Sequence, residues 1–596
     1  MRSTPSTSTS RSPKRLSSGT LLVIATVVVG IAISVFGIYK LRGWKRPMVS
    51  FENFKATNLT TNGKVVTAAI SPDGKDFAYV TADGGKQTLS FRPVATNNSN
   101  IDIVPSSEGD YLGLSFSPDG KFIYYVRSVG GESNDAFKIP AAGGAPVRLV
   151  RDVASAVALS TDGKHMAYVR NYPAQTETAL IVSPIDGFPE RKLAVMKSPS
   201  GFVINSGPAW SPDDKQIAAL SEENGSAPYQ QVVIIGVADG RVRSIDNVRW
   251  PQIGRASWVH DGNSLVVTAS EHESPQELSY AQVWQISYPS GQTKRITNDL
   301  ADYHQLTLTR DSRQILVIQN ERQANLSIAP AGDEQKAAQI TSGNSDGFDG
   351  LSFAPDGRIS YSAVANGEQN LWMIDSDGKN PRQLTNTQGI NRTPSVSPDR
   401  KFVVFSSDRS GAMHLWRIDI DGNNPVELTH GEGDAHPQIT PDGKWVIYRS
   451  YKRGNPNLFR VSINGGTPIA LTDGNVGPPD VSPDGKFIAC SYRGNAISTT
   501  KLVVISIDGG EPLQGFEFPP DSADYRWASD GRSLTYVRTV EGTSNIWRQP
   551  LDGGPPQQIT NFNSEQIFAT DWSSEGKWLV YSKGKRISDA ILLSGI

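Results

Sequence analysis

Twelve times along the chain a short pattern recurs: an apolar residue, then Ser-Pro-Asp-Gly-Lys or a variant, then an apolar run. Full copies are ISPDGKDFAYV (70–80), FSPDGKFIYYV (116–126) and VSPDGKFIACS (481–491); WASDGRSLTYV (527–537) and WSSEGKWLVYS (572–582) are among the degenerate ones. The acid falls at Asp73, Asp119, Asp162, Asp213, Asp261, Asp311, Asp356, Asp399, Asp442, Asp484, Asp530 and Glu575, at intervals of 42 to 51 residues. The residue three before the acid is apolar in every copy: Ile70, Phe116, Leu159, Trp210, Trp258, Leu308, Phe353, Val396, Ile439, Val481, Trp527 and Trp572. Periods of this length belong to solenoids or propellers.

The unit itself decides between them. In residues 394–429, Pro394–Ser397 reads as a strand and Pro-Asp-Arg as a turn, with further strands over Lys401–Ser407, His414–Asp419 and Pro425–Thr429. Four short antiparallel strands per repeat make a propeller blade, and 55 Gly and 38 Pro suit a chain of strands and turns. The repeated acid then has a structural reason: Pro fixes φ, Asp caps the turn and Gly takes positive φ. Twelve such carboxylates are turns rather than twelve active sites.

Units close with a Leu/Ile-Thr strand (Ile296-Thr297, Ile340-Thr341, Leu384-Thr385, Leu428-Thr429), and one such strand, Leu59-Thr60, precedes the first blade. After Glu575 only 21 residues remain, enough for two strands. This accounting predicts an all-β protein of two tandem six-bladed propellers, 51–330 and 331–596, linked near Ala329-Pro330-Ala331-Gly332-Asp333, each ring closed by its own first strand. A seven-plus-five split is the alternative.

The N-terminus is different. Residues 1–20 are mostly Ser, Thr, Pro, Arg and Lys and read as a disordered basic tail. Leu21–Tyr39 is a 19-residue run without charge, long enough for a transmembrane helix, with residues 40–50 a juxtamembrane linker. No A-x-A site follows it, which argues against a cleaved signal peptide. Thr26, Gly30 and Ser34 put small residues on one face of that helix, a surface for helix–helix association; small residues are also common in membrane helices generally. Lys and Arg are balanced on the two flanks, so charge alone leaves orientation open. Eight of the 58 Lys/Arg and none of the 60 Asp/Glu fall within 1–46, which leaves residues 47–596 with a net charge of −10. An acidic body repels phosphate backbones and argues against nucleic-acid binding.

The unit LT…SPDGK…Y…LW…D…DG…LT is similar to the WD40-like propeller repeat of the TolB family and of the related tricorn and dipeptidyl-peptidase propellers. More narrowly, FENFKATNLTTNGKVVTAAISPDGK (51–75) and RISDAILLSGI (586–596) look like the membrane-proximal and terminal segments of acidobacterial-type Ser/Thr kinases. With 20 residues before the membrane run there is no room for a kinase domain, and neither a glycine-rich phosphate loop nor a His-Arg-Asp segment occurs. The resemblance implies a bacterial inner-membrane protein, N-terminus inside and propellers in the periplasm.

Chemistry is sparse. Gly343-Asn-Ser345-Asp-Gly347 matches a nucleophile-elbow pattern but lies in a loop after an outer strand, without a hydrolase domain. His430, Glu432, Asp434 and His436 share one variable loop with only a weak resemblance to a metal site. Asp375/Asp377 and Asp419/Asp421 read as hairpin turns rather than calcium loops. Cys490 is the sole cysteine and ends an apolar run, which excludes an internal disulfide and predicts a buried thiol. No catalytic, cofactor-binding or metal residue is therefore assigned and no cofactor expected. The expected function is a membrane-anchored extracytoplasmic binding, scaffold or sensor protein for protein, peptide or wall-derived ligands, not an enzyme. Its loops at 386–393, 430–436, 473–479 and 561–569 are candidate surfaces. The alternatives are a propeller-channel hydrolase or lyase, or a kinase-paralogue ectodomain without its catalytic domain.

Overall fold

The computed structural model describes residues 51–596 except 52–53, 97–99, 130–132, 224–228, 246–247, 271–280, 334–335, 366, 388, 432, 452–455, 494–499 and 596. The expected basic tail, membrane helix and juxtamembrane linker lie outside the described residues. Among those described, no helix is long and apolar enough to cross a membrane, and Pro173–Gln175 is a 3₁₀ turn. The fold is an all-β propeller.

Ten sheets follow the repeat, at 65–108, 111–150, 158–197, 200–244 and 252–295, then 351–383, 391–427, 435–470, 475–517 and 522–558. Each is antiparallel, and neighbouring strands are consecutive or nearly so in the chain, as in blades. The unit read from sequence is observed as Asn391–Val396, Phe402–Ser407, His414–Asp419 and Val426–Glu427. The middle strands are buried on both faces, so they read as apolar runs rather than as alternation; Phe402–Ser407 is one such. Between successive sheets the apolar side chains form a chain of small cores, such as Val404, Leu415, Ile439, Tyr448 and Phe459.

The repeated acid holds its turn as the sequence predicts. Asp73 accepts from Ser71 Oγ at 2.8 Å and from the Lys75 N–H, Ser71 Oγ accepts from Asp76 N–H at 3.0 Å, and Gly74 sits at φ +73°. The same pair recurs at Ser117/Asp119, Ser160/Asp162, Ser397/Asp399 and Ser482/Asp484. The serine hydrogen bond holds each of these carboxyls below the usual range.

A second repeated bond joins the blades. The backbone N–H of the apolar repeat residue donates to the side chain just before that residue's counterpart in the adjacent sheet: Val396 to Ser352, Ile439 to Ser395 and Trp527 to Asp480. Two such bonds return to the start of a series. Ile70 N–H donates to Thr307 Oγ1 at 3.0 Å, and Phe353 N–H to Asp571 at 2.7 Å.

The eleventh sheet departs from expectation. The strand Gln314–Pro330 and the C-terminal strand Trp578–Ser594, each 17 residues, pair antiparallel along their whole length, from Gln314↔Ser594 to Pro330↔Trp578. One end is completed by Asp302–Leu308 and Lys55–Asn58, the other by Gln566–Trp572 and Ala338–Gln339. Two expectations change. Ala329 and Pro330, read as linker, are paired strand residues, and Ala331 N–H bonds to Lys577 O. The residues after Glu575, read as two strands, form one. The polar stretch Asn320–Gln323 finds strand partners in Lys585–Ser588, so the ladder runs through it.

Candidate functional site

A propeller scaffold repeats, so function belongs where its residues do not repeat. The structure identifies such a position six residues before each repeated acid, on or beside the innermost strand. There the ladder slips: register shifts fall between Ile253/Ala256, His304/Leu306, Arg392/Ser395, Ala435/Gln438 and Ala523/Tyr525. Bulges re-aim side chains out of the alternation. Gln305, Thr393, His436 and Asp524 hold positive φ at these points, a conformation that disfavours residues with a Cβ.

In the N-terminal half the six positions, here called the collar, are Thr67, Gly113, Ala156, Gly207, Arg255 and Gln305, and the contacts below join them in two groups. Thr67 Oγ1 donates to Gln305 Oε1 at 2.6 Å. A Cβ built on Gly113 would lie 2.6 Å from Ala156 Cβ and 3.9 Å from Arg255 Nη1. One built on Gly207 would lie 3.1 Å from Ala156 Cβ and 3.5 Å from Arg255 Nη2. The guanidinium therefore reaches from its own sheet to the inner edges of two others. Arg255 is 7% exposed, and burial pushes its pKa down to about 10.

In the C-terminal half the collar is Gly350, Thr393, His436, Pro478, Asp524 and Ala569. Beside it lies a buried charged group. Arg526 pairs with Asp524 at 3.0 Å and donates through Nε to Thr570 O; Asp524 also accepts from Thr570 Oγ1. Burial raises Asp480 to about 7 and Asp571 to about 6, each opposed by Arg526. Three carboxylates share one guanidinium, a constellation that sequence spacing did not reveal. Both high-pKa acids nevertheless accept inter-blade N–H groups, Asp480 from Trp527 and Asp571 from Phe353, which gives them a role in holding the fold.

The singled-out sequence motifs resolve as follows. Ser345 Oγ accepts the Val364 N–H, and Asp346 accepts from Gly343, so the elbow-like pattern is a bonded turn. Of the loop at 430–436, Glu432 lies outside the described residues, Asp434 is buried, and the His436 N–H donates to Ser406. His430 instead joins His414 and Glu427, their ligand atoms within 4.8 Å of one another. Glu427 Oε1 lies 2.5 Å from His414 Nδ1 and accepts from Ser410, while His414 Nε2 faces Gly431 O at 3.0 Å. Both ring nitrogens of His414 are thus engaged by groups of the chain itself. Asp375, Asp377, Asp419 and Asp421 cap hairpin turns, for example through Asp377 to Lys379 N–H and Asp421 to Asn423 N–H. Cys490 is fully buried, which pushes its thiol up to about 12.

Comparison with known proteins places this geometry. The family model PD40, TolB beta propeller domain, matches residues 156–389 and 381–512, about 60% of the chain. The TolB homolog of Chlorobaculum tepidum is 41% identical over 49 residues, 8% of this chain and 11% of that protein. The uncharacterized peptidase YuxL of Bacillus subtilis is 26% identical over 143 residues, 19% of this chain and 21% of that protein. The chain thus aligns with less than a quarter of either relative's length. Among solved structures, TolB from Acinetobacter baumannii matches 69% of this chain and 80% of its own at 18% identity, with a TM-score of 0.26.

Proposed function

The chain belongs to the PD40 family of TolB β-propeller domains, and from that premise we propose that it is a binding or scaffold module whose ligands enter the propeller channels. The observation that carries this reading is the collar. An otherwise repetitive scaffold carries eight residue types at these twelve positions, several of them beside bulges, with Arg255 in one half and His436 and Asp524 in the other. In support of two six-bladed rings, the blade-to-blade bond returns from Ile70 to Thr307 and from Phe353 to Asp571. The first ring then takes residues 51–322 with 587–595, the second 323–584, and the two exchange strands at the shared sheet.

The apolar run Leu21–Tyr39 anchors the propellers to the inner membrane with the N-terminus inside, and the rings face the periplasm. Thr26, Gly30 and Ser34 offer a helix face to a signalling partner such as a kinase. A channel hydrolase or lyase is the second reading, favoured by the raised pKa values of Asp480 and Asp571.

The test is photocrosslinking in membranes from the full chain, with a photoreactive residue at Gln305 in the collar or at Lys121 on a repeat turn. A discrete adduct from position 305, absent from 121, supports channel binding. Equal adducts from both, or none from 305, contradict it.

A further inference from the structure

Arg255 is an anomaly that the fold does not explain. Its side chain is more than nine-tenths buried, yet among the described residues nothing hydrogen-bonds or pairs with its guanidinium; its one bond is backbone, from its N–H to Thr268 Oγ1 at 3.2 Å. By contrast, the similarly buried Arg92 donates to Leu59 O, and the partly buried Arg526 has Asp524 at 3.0 Å. A buried charge without a partner costs stability, and arginine does not escape by losing its proton near neutral pH. Nor is Arg255 positioned as packing filler. The residues its two Nη atoms approach are Gly113 and Gly207, where the absence of side chains leaves room in front of the planar edge. Next to Gly207, the buried Ser206 hydroxyl also has no hydrogen-bond partner.

We propose that the collar Thr67–Gly113–Ala156–Gly207–Arg255–Gln305 is a carboxylate-binding site, with Arg255 as its anchor and the terminal carboxylate of an extended peptide as its ligand. The inference deepens the channel-binding reading and rests on it. A guanidinium presents two parallel N–H donors that match a carboxylate, and it forms its strongest bonds where water is excluded. One cation in a body of net charge −10 suits a monoanion better than a dianionic phosphate. Gly113 and Gly207 keep side chains away from both Nη atoms, so a main-chain carboxylate is the kind of group that can approach them.

The experiment measures thermal stabilisation and calorimetric binding of the full chain with triglycine, triglycine amide, acetate and inorganic phosphate, for the native protein and for Arg255→Gln. Triglycine is expected to bind and raise the melting temperature, and its amide to do neither. Acetate is expected to bind more weakly than triglycine. Arg255→Gln is expected to weaken triglycine by at least about thirtyfold and to melt, without ligand, at or above the native temperature, because it removes an uncompensated charge. Acetate binding as well as triglycine would assign the site to small free acids, and stronger binding of phosphate to phosphoryl groups; either overturns the peptide assignment. A lower melting temperature of ligand-free Arg255→Gln would show that the guanidinium is already partnered within the chain and overturns the site. Absence of triglycine binding alongside a persisting adduct from position 305 rejects the carboxylate assignment alone, whereas absence of both rejects channel binding too.

Discussion

The backbone N–H of Phe353 donates to the carboxylate of Asp571 at 2.7 Å across 218 residues of sequence. Asp571 Oδ1 accepts the N–H of Trp572 as well, so one partly buried side chain serves two backbone donors where the last blade of the C-terminal half meets the first. Asp571→Ala removes the acceptor of the partly buried Phe353 N–H and should cost about 1 kcal/mol. Asp571→Asn keeps an acceptor and should cost less. Calorimetric melting of the two variants checks the order.

Stability should depend on pH through Asp480. Burial raises its pKa to about 7, while in the unfolded chain it titrates near 4, so between these values the folded state holds a proton that the unfolded state has lost. The contribution is therefore lost as pH rises from about 4 through about 7, and is level beyond. The size is on the order of 4 kcal/mol if the site titrates alone. Asp480→Asn, which can still accept from Trp527, should flatten the pH dependence of denaturant unfolding over that window. An unchanged slope would assign the dependence elsewhere.

The shared sheet predicts a coupling between the chain's end and its middle. Ending the chain at Lys585 removes the partner of Gln314–Arg322 and of Lys55–Asn58. Hydrogen exchange should then accelerate in residues 55–58 and 314–320, while 391–427 stays protected. Acceleration confined to the last sheets of the C-terminal half would contradict the exchanged arrangement.

Three turn positions usually filled by glycine hold Asp214, Ser312 and Arg400, each with positive φ near 60°. Asp214 offsets that strain: its carboxylate accepts the N–H groups of Thr161 and Asp162 in the neighbouring blade, at 2.7 and 3.1 Å. Replacement by glycine should therefore be tolerated or stabilising at Arg400 and cost ~1–2 kcal/mol more at Asp214. Thermal melting of the two variants checks the difference.

Much of the blade architecture was legible in the sequence, because Ser-Pro-Asp-Gly turns and apolar middle strands are local patterns that recur. The four strands of 391–427 fall nearly where the spacing puts them. The shared sheet was not legible, because Asn320–Gln323 is polar and its strand partners lie some 260 residues away; only the structure shows that Arg322 pairs with Arg586 instead of turning. The collar was hidden for another reason. A bulge breaks the two-residue alternation, so Arg255 looks like any polar residue of an inner strand. Its signal was available only as a position of differing identity six residues before each repeated acid. His414, Glu427 and His430 escaped notice because a hairpin, not a motif, brings them together.

The most direct measurement compares two sets of variants of the full chain for the yield of the adduct formed from position 305. Collar variants are Arg255→Gln and Thr67→Val; turn variants are Asp119→Asn and Asp484→Asn, at repeated acids that only cap turns. Binding in the channel predicts that the collar variants lose at least about tenfold in yield, the effect of some 1.4 kcal/mol, while the turn variants keep it. Equal loss in both sets, or loss only in the turn set, would contradict the account.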